Sequence, residues 1–245
     1  MRPWATGPTE LLEHGLSLLR SDSDRNRRLA MIAIDNAVEL AIKTYLGLPR
    51  RATGVAITRK EFAEISENFG KLLDGLESHC QDKLLGIDLA EVEWYHRLRN
   101  QLYHQGNGLT VEREKVAVYA ELARLLFANL LDVNIEFQPD DSRDRVGRFL
   151  GGWVAIEKNI ASIARQYRND LTVTGQRIPP PMVAFQGLAN MKVLKPKLAR
   201  RIDHFRALRN RIVHGESEPT AELSDAIISE LDGINDELTK IISES

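Results

Sequence analysis

Two short stretches of this chain carry the same three polar side chains at the same spacing. "RLRNQLYHQG" (97–106) contains Arg99, Asn100 and His104, and "RALRNRIVHGE" (206–216) contains Arg209, Asn210 and His214. Arginine, a small amide and histidine suit phosphodiester chemistry. A guanidinium binds phosphate oxygens in pairs and stabilises charge that builds on phosphorus. An imidazole takes or gives a proton near pH 7. In-line attack by a ribose 2′-hydroxyl needs a base on one side and an acid on the other, roles that one histidine fills poorly and two can divide. The plainer alternative is that His104 and His214 only cap the last carbonyls of their helices. Two copies favour the chemical reading, because both carry the triplet while neighbours differ, Gln101 against Arg211 and Tyr103 against Val213.

Helices must position these groups. Tyr95, Leu98 and Leu102 share one helical face, as do Phe205, Leu208 and Ile212. Asn100 and His104 stand one turn apart, as do Asn210 and His214. Arg99 and Arg209 lie about 100° further round. Gly106 and Gly215 are placed to end each helix in a left-handed cap, which sets each imidazole at a helix C-terminus. The pattern is helical nearly throughout, and an all-α protein is expected. Helices are read at 9–19, 27–47 (closed by Gly47, with Pro49 beyond), 59–79, 89–105, 110–133 and about 145–168. Two more are read from about Pro196, which suits a first turn, and from about Thr220 to Ile242. Residues 48–58 read as a loop, and 171–182 as irregular chain or a short strand pair. Within the latter, "IPPPM" (178–182) suits a rigid connector. Pro139 and the aspartates of "FQPDDSRD" (137–144) mark a boundary between domains 1–137 and 138–245.

The repeat extends beyond the triplets. "AIDNAVELAIKTY" (33–45) and "AIEKNIASIARQY" (155–167) align Asp35 with Glu157, Val38 with Ile160, Lys43 with Arg165 and Tyr45 with Tyr167. Two tandem helical bundles related by internal duplication are expected. The offset is 122 at this match and 110 at the triplets, so about twelve extra residues are expected in the first half, in the 48–58 loop. Thr110 and Thr220 each lie six residues after the motif histidine and open Thr-x-Glu, suited to a helix N-terminus. Asp35 and Glu157 interrupt apolar faces. They form either a surface ladder with Lys43 or Arg165, or carboxylates that orient the motif arginine of their own repeat.

The 245 residues, 43% hydrophobic and 28% charged, suit a soluble globular protein of one or two domains. The net charge of −2 does not advertise a nucleic-acid binder. The window 192–211 is different: eight basic residues against Asp203 give +7, while 82–101, with three basic and four acidic, gives −1. That window is either a solvated basic face or a footprint for RNA, with Lys195, Lys197, Arg200, Arg201, Arg206 and Arg211 as the contacts. His96 and His204 either add to such a surface or face solvent. Cys80 is the only cysteine, so no disulfide framework exists and a reducing cytoplasm is expected. No apolar run of about eighteen residues occurs, and the N-terminus lacks the apolar core of a signal peptide, so no membrane association is expected. His79 and Cys80 are adjacent and diverge on a helix, and no histidine pair has the zinc-helix spacing. No phosphate-binding glycine loop is present. Neither metal nor cofactor is therefore expected.

The two Arg-Asn-x-x-x-His triplets, in a helical context with the "AIDNAVELAIKTYLG" helix before the first, resemble the HEPN superfamily. The resemblance covers most of 9–135 and, more loosely, 145–243. It implies small helical bundles and metal-independent RNA cleavage. It also implies that Arg99, Asn100, His104, Arg209, Asn210 and His214 form one composite site, and that products carry a 2′,3′-cyclic phosphate and a 5′-hydroxyl. Many such proteins are toxins or antiviral effectors, so an antitoxin or defence partner, or a homodimer, is in keeping with the resemblance. Other members bind RNA, nucleotide or a partner protein without cutting. The subgroup controlled by adenylylation carries a tyrosine two residues after the histidine; here those positions are Gly106 and Glu216.

Overall fold

A single long helix organises the first half of the chain, and its start is set by one serine. Ser23 accepts a hydrogen bond from Asn26 N at 3.2 Å, which satisfies one of the free amides at the N-terminus of α2 (Asp24–Gly47). The computed structural model describes residues 2–21, 23–104, 110–135, 144–167 and 181–244. These are helical with no strand among them, and the chain divides into two compact units, Met1–Pro139 and Asp140–Ser245.

In the first unit α2 buries Met31, Ile34, Val38, Ile42 and Tyr45. Side chains of this kind contribute about 1.5–3 kcal/mol each when fully buried. α1 (Thr6–Arg20) packs along α2, and closely: a Cβ on Gly15 would come within 2.8 Å of Ile34 Cγ1. The chain then forms α3 (Arg50–Thr53), α4 (Arg59–Ile65), α5 (Phe69–His79), α6 (Leu89–His104) and α7 (Arg113–Leu131). α5, α6 and α7 all pack on α2. Arg113 Nη1, at the start of α7, donates to the carbonyl of Leu19 at the end of α1 at 2.7 Å.

The second unit contains α8 (Asp144–Gln166), α9 (Pro181–Asn190), α10 (Pro196–Val213), α11 (Pro219–Glu222) and α12 (Asp225–Glu244). α8 and α12 run in the same direction. Arg145 Nε meets Asp225 Oδ1 at 3.2 Å near their starts, and Gln166 Nε2 donates to the carbonyl of Ile242 at 3.2 Å near their ends. α9 and α10 pack against α8, with the rings of Phe149 and Phe205 6.3 Å apart in the core. Both units thus follow one order: a long helix, then the helix that carries the triplet, then a closing helix, with each pair in contact.

Several sequence-based expectations need correction. The helix expected at 59–79 is broken at Ser66–Asn68, because the Asn68 side chain caps a new helix by accepting from Lys71 N at 3.0 Å. The last helix breaks likewise at Leu223–Ser224, where Ser224 Oγ accepts from Ile227 N at 3.3 Å. Thr110 does not cap α7, which starts at Arg113 without a side-chain cap. Thr220 lies inside α11, whose first residue is Pro219 and which also lacks a side-chain cap. The loop read at 48–58 contains α3, and α9 covers residues for which no helix was expected. Gly106, the boundary stretch 137–143, and 168–180 with most of "IPPPM" lie outside the described residues.

The expected cap after the second triplet is present. Gly215 has φ +68, its N–H donates to Ile212 O at 3.1 Å, and Glu216 N–H reaches back to Arg211 O at 2.8 Å. This pair of bonds closes α10 through a left-handed residue. Gly215→Ala is expected to destabilise the protein by about 1–2 kcal/mol, the penalty of a Cβ in the left-handed region. Urea unfolding measures it, and an unchanged midpoint would contradict the cap.

Candidate functional site

The first triplet is built around one buried carboxylate. Asp35, on α2, has no solvent exposure, so its charge must be met by donors within the protein. Three converge on it. The Tyr119 hydroxyl, from α7, donates to Oδ1 at 2.7 Å. His96 Nδ1 and Arg99 Nε, from α6, approach Oδ2 at 3.0 and 2.7 Å. Burial first, then the charge of Asp35 and the hydrogen bond to it, hold the Tyr119 hydroxyl well above its ordinary pKa. It therefore stays protonated as a donor. His96 stacks on Phe69 of α5, with ring centroids 3.9 Å apart, and Tyr119 stacks on Tyr95 at 4.6 Å.

Arg99 is held at all three of its nitrogens. While Nε faces Asp35, Nη1 donates to Asn100 Oδ1 at 2.8 Å and Nη2 to Asn36 Oδ1 at 2.7 Å. Glu39 Oε2 lies 3.8 Å from Nη2. A guanidinium has five N–H groups. Two are engaged by the hydrogen bonds to Asn100 and Asn36, Nε meets Asp35 as an ion pair without a hydrogen bond, and one on each terminal nitrogen remains for an acceptor outside this cage. The side chain is 16% exposed, so an acceptor can reach it.

Of the two sequence readings of Asp35, the buried carboxylate that orients the motif arginine is therefore the one observed, and the surface ladder with Lys43 is not. His96 is mostly buried against Asp35, which corrects its reading as a solvent-facing or phosphate-binding group. Asn36, Tyr119 and Phe69 were not anticipated. The detectable signal was Tyr119 itself, on a buried helical face, because an enclosed tyrosine hydroxyl requires a partner. His104 closes α6, and its side chain lies outside the described residues.

The second triplet lies at the end of α10. Arg209 is 5% exposed, Asn210 is exposed, and His214 is half-buried as the last residue before the left-handed Gly215. Glu157 accepts from Trp153 Nε1 at 2.8 Å, one turn back on α8.

The basic window also resolves into two groups. Lys195, Lys197 and Arg200 are exposed. Arg201 pairs with Glu230 at 3.2 Å and with Glu237, Arg206 with Asp203 at 3.1 Å, and Arg211 with Glu222 at 3.6 Å. Carboxylates of α12 and its surroundings thus balance much of the charge that the window suggests. His204 is exposed. Cys80 is buried, and burial pushes its thiol up to about 11, so it remains a thiol rather than a nucleophilic thiolate. Among the described residues no three His, Cys, Asp or Glu side chains converge as metal ligands, and no helix is long and apolar enough to cross a membrane.

No family model, curated protein or solved structure matches this chain.

Tyr119→Phe removes one hydrogen bond to a buried charge while keeping the ring. It is expected to cost about 1.5–3 kcal/mol, the range for hydrogen bonds to charged groups. Chemical denaturation reads this directly, and a loss below about 0.5 kcal/mol would show that Asp35 does not depend on the hydroxyl.

Proposed function

We propose that this chain is a metal-independent endoribonuclease of the HEPN kind, with a toxin or antiviral role. The observation that carries the reading is the caged guanidinium: Arg99 is fixed by Asp35, Asn36 and Asn100 with one N–H on each terminal nitrogen left over. Because Asp35 balances its charge, Arg99 acts as an oriented pair of donors rather than as a loose counter-ion. Donors fixed in advance stabilise the charge that develops on phosphorus without reorganising. His104 and His214 share the proton transfers. One takes the proton of the 2′-hydroxyl as that oxygen attacks phosphorus, and the other protonates the departing 5′-oxygen. The RNA chain breaks, leaving a 2′,3′-cyclic phosphate on one side and a 5′-hydroxyl on the other. Arg209 and Asn210 repeat the roles of Arg99 and Asn100. Lys195, Lys197 and Arg200, exposed on or beside the first turn of α10, supply contacts to the RNA backbone.

The protein is expected to cut RNA in excess EDTA. His104→Ala and His214→Ala should each lower the rate at least about 100-fold, the lower end of what general acid–base catalysis contributes. A requirement for Mg²⁺, or activity that survives both changes, would overturn this mechanism. Salt-sensitive RNA binding without any cleavage would identify a binding module instead.

A further inference from the structure

The segment that joins α2 to α4 carries charge that the fold does not balance. From Lys43 to Lys60 the chain has five basic residues, Lys43, Arg50, Arg51, Arg59 and Lys60, and no acidic one. All five are exposed. Lys60 has Glu64 3.9 Å away, one turn along α4. No carboxylate among the described residues pairs with the other four. Glu61, the next acidic residue, is already engaged: one oxygen accepts from Thr58 N at 3.3 Å and the other lies 3.0 Å from His79 Nε2.

The segment is folded and pinned at both ends. Arg50 O accepts from Gly54 N at 2.7 Å, through a left-handed Gly54 at φ +79. A Cβ on Gly47 would come within 3.0 Å of Phe62 Cζ, so α4 meets α2 there. Lys43 stands one turn before Gly47, and Arg59 one turn before Phe62, which brings both near the same contact. Lys43 also lies seven residues after Asn36, which accepts from Arg99 Nη2. Seven residues are two turns, so the two side chains share one face of α2, about 10 Å apart along its axis. Both are exposed. Glu39, the only carboxylate between them in sequence, lies 3.8 Å from that same Nη2.

We propose that Lys43, Arg50, Arg51 and Arg59 form a track that holds the RNA backbone beyond the Arg99 cage, and this rests on the reading of Arg99 as a phosphate ligand. A guanidinium meets a phosphate with two parallel hydrogen bonds, and three of these four cations are arginines. Arg201, Arg206 and Arg211 are answered by carboxylates, whereas these four keep their full charge for a polyanion. No large apolar side chain of the segment is exposed, so the surface lacks the apolar anchor that a membrane or a protein interface would use. Phosphates carry no base identity, so the track adds affinity and direction rather than sequence preference.

The test uses the full-length protein in EDTA and an RNA long enough to reach from Arg99 to Arg59. Every sugar of that RNA is 2′-O-methylated, so it binds without the hydroxyl needed for cutting. Affinity is measured against salt for the wild type and three variants. These are Arg50→Ala/Arg51→Ala/Arg59→Ala, Arg50→Lys/Arg51→Lys/Arg59→Lys, and a control that removes three exposed cations elsewhere, Arg25→Ala/Lys158→Ala/Lys240→Ala. Each phosphate contact contributes close to one unit to the slope of log affinity against log salt. The alanine triple should therefore reduce the slope by about two to three, and the lysine triple and the control by less than about half a unit. With the unmodified RNA, the alanine triple should raise KM with kcat little changed, because the Arg99 cage is untouched. A wild-type slope in the alanine triple, or an equal drop in the control, would overturn the track while leaving the ribonuclease reading to stand on cleavage. If the wild type binds but does not cut the unmodified RNA, the same drop in slope upholds the track and rejects the nuclease. No RNA binding by the wild type rejects both, and binding to phosphatidylserine vesicles in its place would assign the four cations to a membrane.

Discussion

The first unit depends on how it houses one negative charge. A carboxylate with no access to water is costly unless every oxygen is met, and Asp35 is met by groups from two other helices. Through Tyr119 it ties α2 to α7, and through His96 and Arg99 it ties α2 to α6. The stack of His96 on Phe69 extends the same knot to α5. Apolar packing alone would let α6 settle at neighbouring rotations, because Leu, Val and Tyr faces tolerate small slips. The ion pair and hydrogen bonds do not tolerate them. The polar knot therefore sets which side of α6 faces α2, and with it the direction of Arg99. The groups that stabilise the burial of Asp35 also fix the orientation of the arginine.

The second unit also places a long helix, a triplet helix and a closing helix in that order. There Glu157 accepts a hydrogen bond from Trp153 on its own helix, Arg209 is nearly enclosed, and the basic face of α10 is partly neutralised by Glu222, Glu230 and Glu237.

Much of this was legible in the chain. The apolar period of α2, the faces of both motif helices, Pro196 in a first turn and Gly215 at a C-terminus are all local signals, and local signals survive into the fold. The helix breaks at Ser66–Asn68 and Leu223–Ser224 were missed because the apolar period runs on through them. There the competing cap from Asn68 or Ser224 decides the outcome, and its advantage is small until tertiary packing acts. Thr110 and Thr220 misled for the converse reason: residues with capping chemistry lay near helix starts but not at them. The cage around Arg99 was half visible. Asp35 stood out as a charge on an apolar face, but Tyr119 lies 84 positions away and Asn36 looked like any surface amide. Nor could charge counting show that Arg201 and Arg211 are answered by residues from later in the chain.

The central claim is that a fixed guanidinium and two histidines direct a ribose hydroxyl against its own phosphate. The most direct measurement compares an RNA oligonucleotide with the same oligonucleotide carrying one 2′-deoxy sugar at the cleavage site, in EDTA, with product ends analysed by mass. The account predicts that the all-ribose strand yields a 2′,3′-cyclic phosphate and a 5′-hydroxyl, and that the deoxy substitution abolishes cutting at that bond. Cleavage of the deoxy-substituted bond, or a 5′-phosphate on the products, would contradict it.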